Sequence, residues 1–297
     1  HIRTFAGPLL EARAGRPMRV ALVGANGMAG HAIPAVFRGL PVEIVPLYLD
    51  PDGRFPNHPP NPLVRENLRD LREAVVRERA EAGVAYDGDA DRCAFVDERG
   101  EPIGSDLATA AMARAILART PGPVVYDLRS SRVVPEEIRR AGGIPVRERV
   151  GHSFIKATMR RHDAVFGGEL SGHFYFRDNH FCDSAMIATV VFLGALARAR
   201  VPASEWIAPL RRTHATGEIN FRVAESDARI EEIARAFHDG AQDRLDGLTV
   251  SYDRWWFNVR KSNTEPLLRL SLEADTAAGR DEGLRRVAAL LGTPVAH

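Results

Sequence analysis

Disulfide chemistry has little to work with in this chain. Its 297 residues include two cysteines, Cys93 and Cys182, too few for a disulfide framework and in keeping with a reducing compartment. Excess charge of one sign is also lacking: Lys and Arg number 40 against 39 Asp and Glu. That balance gives no bulk attraction to nucleic acid or to an anionic membrane. No apolar run approaches the roughly 20 residues that a membrane-spanning helix requires, and no signal-peptide pattern stands near His1. No segment repeats at a fixed period, and no tract is of low complexity. The expectation is a cytoplasmic protein with neither a nucleic-acid nor a membrane partner. What remains is an ordinary globular composition, 45% hydrophobic and 27% charged, at a length that suits two or three domains.

Strand-like and helix-like segments alternate through the first two thirds. MRVALVG (18–24) and VEIVPLYLD (42–50) read as strands around a helix at AIPAVFRGL. DPDGRFPNHPPNP (50–62) is loop by composition. A charged amphipathic helix follows and is expected to stop at Gly83. VAY and CAFVD then flank an acidic loop as short strands. A second α/β stretch runs from DLATAAMARAILART to the long apolar helix SAMIATVVFLGALARAR. From about residue 209 the character changes to strands joined by turns, with one helix between them and one closing the chain. The fold class expected is α/β: two mixed α/β sheet domains, 1–102 and 103–208, followed by a smaller α+β domain, 209–297.

The acidic loop is AYDGDADRCAFVD. Asp87, Asp89 and Asp91 alternate and are followed by Arg92. Three carboxylates in one bend repel each other, and they suit Mg²⁺, which prefers a few hard oxygen ligands completed by water or a phosphate. Arg92 offsets part of the charge. An EF-hand would place Gly at the sixth position, where Arg92 stands, and helices at the flanks, although Glu98 does occupy the twelfth. A solvated acidic turn is the remaining alternative. VGANGMAG (23–30) follows a strand, but its glycines have G-x-x-G-x-x-G rather than dinucleotide spacing, so a tight turn with close packing accounts for it. GGELSGHF (167–174) presents Glu169, Ser171 and His173 at alternate positions, a set that suits sugar hydroxyls. VGHSFIK (150–156) puts His152 and Lys156 at a helix start. RKSNTEP (260–266) offers the donors Arg260, Ser262, Asn263 and Thr264 between two strands, suited to a phosphate monoester. Arg129 at a strand end is a further candidate cation.

In this order and spacing, D-G-D-x-D-R, G-E-x-S-G-H and R-x-S-N-T-E-P together resemble the α-D-phosphohexomutase family over essentially the whole chain. S-N-T-E-P and G-E-L-S-G-H are similar to its phosphomannomutase/phosphoglucomutase branch. The resemblance implies an Mg²⁺-dependent isomerase that interconverts hexose 6-phosphate and hexose 1-phosphate, of mannose or glucose, through a bisphosphate. It makes Asp87, Asp89 and Asp91 metal ligands and sets Arg92 on a serine phosphate. Glu169 and Ser171 would hold sugar hydroxyls, and His173 would transfer a proton. Arg260, Ser262, Asn263 and Thr264 would grip the non-reacting phosphate, assisted by His152 and Arg129. The family has four domains, and the three segments resemble the second to fourth. The T-x-S-H-N-P phosphoserine loop of the first occurs nowhere in these residues. The expectation is a chain inactive alone, partnered by the missing N-terminal domain of the same protein. The alternative is a non-catalytic, Mg²⁺- and phosphosugar-binding protein.

Overall fold

The computed structural model describes residues 1–13, 16–262 and 265–295. They form two compact units, the first comprising His1–Arg147 and Gly151–Leu210, the second Glu148–Val150 and the chain from Arg211.

The first unit opens with α1 (Gly7–Ala12), β1 (Met18–Val23), α2 (Ala29–Phe37) and β2 (Val42–Leu47). After a long loop come α3 (Arg69–Arg77), β3 (Ala82–Tyr86), β4 (Cys93–Asp97) and β5 (Pro102–Ile103). The five strands make one sheet in the order β2-β1-β3-β4-β5, with β1 parallel to β2 and β3, and β3 antiparallel to β4. α4 (Ser105–Leu117), β6 (Pro123–Asp127), α5 (Val133–Arg140), β7 (Ile144–Glu148), α6 (His152–His162), β8 (Phe166–Gly168), β9 (Phe174–Phe176) and β10 (Cys182–Asp183) follow. Their strands form a second sheet ordered β10-β9-β8-β6-β7. α7 (Ala185–Ala199) and α8 (Ala203–Ile207) complete the unit.

α7 is apolar on nearly every face, so it must be covered on all sides. It lies in a core that both sheets share, with Leu22 and Phe95 from the first and Phe166 and Phe174 from the second. Phe192 of α7 stacks on Phe95 at 4.0 Å. The sheets on either side of residues 102 and 103 therefore share one continuous core. Among the described residues no single helix is long and apolar enough to cross a membrane.

Gly83 does not stop the charged helix, which ends at Arg77. It lies inside β3, where a Cβ would come 2.7 Å from Val75 Cγ2 and 2.9 Å from Leu71 Cδ1. α3 rests so closely on the sheet that only glycine fits beneath it.

The second unit holds β11 (His214–Arg222), α9 (Ser226–Ala236), β12 (Ala241–Asp243), β13 (Leu248–Ser251), β14 (Trp255–Lys261), β15 (Leu267–Ala274), α10 (Ala277–Leu291) and β16 (Pro294–Val295). The sheet runs β12-β13-β14-β15-β11-β16, with antiparallel neighbours. Phe257, Leu270 and Leu272 meet Ile233 of α9 and Val287 of α10 in its core. Two mixed α/β sheets and an α+β C-terminal sheet make up the architecture.

Candidate active site

The acidic loop closes the β3–β4 hairpin. Asp87 N donates to the Arg92 carbonyl at 3.3 Å, and Arg92 N returns a bond to Asp87 Oδ1 at 3.1 Å. Arg92 Nε then reaches Asp87 Oδ2 at 2.6 Å. Asp87 is 1% exposed, so this charge-assisted contact compensates a carboxylate that water cannot reach. Oxygen atoms of Asp87, Asp89 and Asp91 lie within 4.8 Å of one another. Burial, then the charges of Asp87 and Asp89, push the Asp91 carboxyl up to about 6. These hard oxygens at mutual short range fit a divalent cation.

The glycine-rich turn supports this loop from behind. Ala25 and Asn26 both have positive φ, 50° and 57°, and Gly27 N closes the turn on Gly24 O at 2.8 Å, as a type I′ turn requires. A Cβ on Gly27 would lie 2.5 Å from Gly88 O, while Met28 N donates to that same oxygen at 2.9 Å. The turn is packing for the acidic loop, which is the reading its spacing suggested. Phe55 and Pro60, from the proline-rich segment, lie against Gly88.

The G-E-L-S-G-H loop docks on the same hairpin. Cys93 N donates to Gly172 O at 3.1 Å. Gly172 has φ +87°, and a Cβ there would meet Cys93 O at 2.9 Å. This approach places His173 Nε2 3.5 Å from Asp91 Oδ1. His173 Nδ1 lies 2.9 Å from Ser171 Oγ, and its ring stacks on His152 with centroids 6.2 Å apart. Burial holds the His173 imidazole below its ordinary value, against the opposing pull of Glu169. Asp183 joins Asp91 and His173 within 4.8 Å and pairs with Lys156 Nζ at 2.7 Å.

Glu169 is 2% exposed. It accepts from the Tyr175 hydroxyl and, at 3.3 Å, from Gly151 N. Burial, then Asp127, raises its carboxyl above the usual range. Arg129 does not stand open for an anion: its Nε and Nη2 lie 3.2 and 2.9 Å from Asp127. Tyr175, Asp127 and Asp183 were not among the expected site residues, whereas Lys156 was singled out at its helix start. Tyr175 had a signal, since it continues the alternate positions of Glu169, Ser171 and His173; the others come from distant segments.

The second unit carries the R-K-S-N-T-E-P loop between β14 and β15. Arg260 is 3% exposed, with Nη2 2.6 Å from Glu218 Oε2. Arg269 Nη1 takes the other oxygen of Glu218 at 3.0 Å. Arg260 is thus a buried ion pair, and contact with a phosphate would require Glu218 to share it. Lys261 pairs with Asp227 at 2.6 Å, and Ser262 N donates to Leu267 O at 2.9 Å. Asn263 and Thr264 lie outside the described residues.

Three domain families match in succession: phosphoglucomutase/phosphomannomutase alpha/beta/alpha domain II over residues 1–100, domain III over 104–213 and the C-terminal domain over 218–290. The chain belongs to the phosphoglucomutase/phosphomannomutase family. A Salmonella typhimurium phosphomannomutase is 40% identical over 267 residues, covering 87% of this chain and 59% of that protein. A phosphomannomutase of Methanocaldococcus jannaschii is 39% identical, covering 92% of this chain and 61% of the relative. The chain thus spans about three fifths of the length of these relatives. Among solved structures, a phosphoglucomutase/phosphomannomutase family protein of Burkholderia thailandensis superposes with a TM-score of 0.87 at 31% identity, over 99% of this chain and 64% of that one. An Aspergillus fumigatus N-acetylphosphoglucosamine mutase, solved with GlcNAc-6P and magnesium, shares the fold with a TM-score of 0.69 at 17% identity, over 98% of this chain and 70% of its own.

Proposed function

We propose that this chain carries the metal, sugar and phosphate loops of a hexose phosphomutase that interconverts the 6- and 1-phosphates of mannose or glucose through a bisphosphate. The observation that carries this reading is the Cys93–Gly172 backbone bond at 3.1 Å, which holds the acidic loop and the His173 loop in one site. The relatives named phosphomannomutase supply the reaction class. Mg²⁺ is the proposed cofactor. Asp87, Asp89 and Asp91 would hold it, and when bound it supplies charge stabilisation to a phosphate oxygen. Arg92, fixed by Asp87, adds a cation beside that position. His173, kept neutral by burial and steadied by Ser171, can take a proton from a sugar hydroxyl and return it. Glu169 accepts sugar hydroxyls only as far as Tyr175 leaves it free. Ser262, Asn263 and Thr264 would hold the far phosphate, with Arg260 and His152 assisting and Arg129 acting through Asp127.

Calorimetry tests the metal site. Mg²⁺ should bind the wild-type chain and bind Asp89→Asn at least tenfold more weakly; equal affinities would remove the acidic loop from the reading. In matched titrations with Mg²⁺ present, mannose 1-phosphate should bind and free mannose should not, and failure of the phosphate to bind would overturn the hexose-phosphate assignment.

The raised Asp91 carboxyl gives a pH dependence. Its folded-state value, about 6, lies above the ordinary aspartate value of about 3.9. The stability it contributes is fully present below about pH 4 and is lost as pH rises through 6. Metal-free protein should therefore show a thermal midpoint that falls between pH 4.5 and 7 more steeply than in Asp91→Asn, and Mg²⁺ should remove that difference. Parallel curves for the two metal-free proteins would refute the assignment.

These 297 residues contain no T-x-S-H-N-P segment, and a mutase needs a nucleophile to carry the phosphoryl group between half-reactions. The chain alone should show no turnover and no phosphoryl mass gain with glucose 1,6-bisphosphate and Mg²⁺. A stoichiometric gain would place a nucleophile among the residues described.

A further inference from the structure

Arg16, Arg79 and Arg200 line one cavity of about 700 Å³ in the first unit. Among the described residues their side chains make no hydrogen bond or ion pair. The two carboxylates at the cavity are already engaged. Glu81 is paired with Arg13, and Glu98 is paired with Arg99 at 3.4 Å and accepts from Ser204 N at 2.9 Å and from its hydroxyl. Three cations therefore face the same space without a counter-charge.

Two of the three sit on unfavourable backbone. Arg79 has φ 53° and Arg200 has φ 57°, the left-handed region that chains normally reserve for glycine or asparagine beyond a helix end. A cation near a helix C-terminus does complement the helix dipole. That role is already filled without strain, by Arg77 in the last turn of α3 and by Arg198 in the last turn of α7.

The place and the walls narrow the ligand. Arg79 precedes β3 and Glu98 follows β4, whereas the acidic loop joins the other ends of these two strands. The cavity is therefore separated from the acidic loop by the length of the strands, roughly 15 Å. Val76, Leu196, Val201 and Pro202 give it an apolar side. Planar guanidinium groups match phosphate oxygens in pairs, and three cations balance the charge of a diphosphate ester.

We propose that this cavity is a second anion site that binds an organic diphosphate ester, its phosphates on Arg16, Arg79 and Arg200 and its body on the apolar side. Calorimetry in metal-free buffer at low salt tests it with ADP and with inorganic pyrophosphate. Wild-type chain should bind both, ADP the more tightly. Arg79→Gly/Arg200→Gly should lose at least tenfold in affinity for each, keep an equal or higher thermal midpoint because glycine relieves the backbone, and retain Mg²⁺ and mannose 1-phosphate binding. No ADP binding by wild type, or undiminished binding by the double variant, overturns the site. Pyrophosphate binding as tight as ADP overturns the ester assignment in favour of a bare anion.

Discussion

Gly30→Ala should cost the first unit about 3 kcal/mol or more, at or beyond the upper end of ordinary overpacking. A Cβ at position 30 would lie 1.7 Å from Leu49 O and 2.7 Å from Leu49 C. That oxygen belongs to backbone, so no rotamer change relieves the overlap. Nor can the segment retreat easily: Gly24 N holds Leu47 O at 2.9 Å, Asn26 N holds Tyr48 O at 2.8 Å, and Asn26 Nδ2 holds Asp50 O at 2.9 Å. Relief has to come from the α2 start, which carries Met28 and its bond to Gly88 O. Urea denaturation should show the loss, and Mg²⁺ affinity should fall with it. Gly53→Ala is the control, since a Cβ there meets nothing within 4 Å. A Gly30→Ala protein within 1 kcal/mol of wild type would mean that the contact is far softer than drawn.

The strands most legible in the chain were those whose residues are buried on both faces. MRVALV and CAFVD are apolar runs bounded by turns, and the sheet places them as β1 and β4. The charged helix was legible from its apolar period, but its end was not, because Gly83 signals a stop in sequence and a close helix–sheet contact in space. β9 was hidden for a related reason. Phe174–Phe176 is three aromatic residues long and wholly buried, too short to show a period of its own. The acidic and histidine loops were legible because spacing within one loop carries their chemistry. Which donor is open and which is already engaged was not legible: Arg260 and Arg129 look like free cations in sequence, and their partners Glu218 and Asp127 carry no motif.

Asp127→Ala should destabilise the first unit by roughly 3–5 kcal/mol, as expected when one member of a buried ion pair is removed. Asp127 ends β6 and is fully buried. Its Oδ1 accepts from Arg129 N at 2.8 Å and Arg129 Nε at 3.2 Å. Its Oδ2 accepts from Arg129 Nη2 at 2.9 Å and Leu170 N at 2.7 Å. Truncation takes the counter-charge from a guanidinium that is 9% exposed and releases the backbone that precedes Ser171 and His173. Asp127→Asn keeps the shape and one acceptor, so it should cost less. Because Asp127 is one cause of the raised Glu169 carboxyl, both variants should let Glu169 ionise at a lower pH, readable by carboxyl NMR in Asp127→Asn. The double variant Asp127→Ala/Arg129→Ala should lose less than the sum of the single losses, because the buried charge left behind by the first change is removed by the second. Strictly additive losses, or an Asp127→Ala cost below 1 kcal/mol, would show that the carboxylate does not hold the sugar loop through this pair.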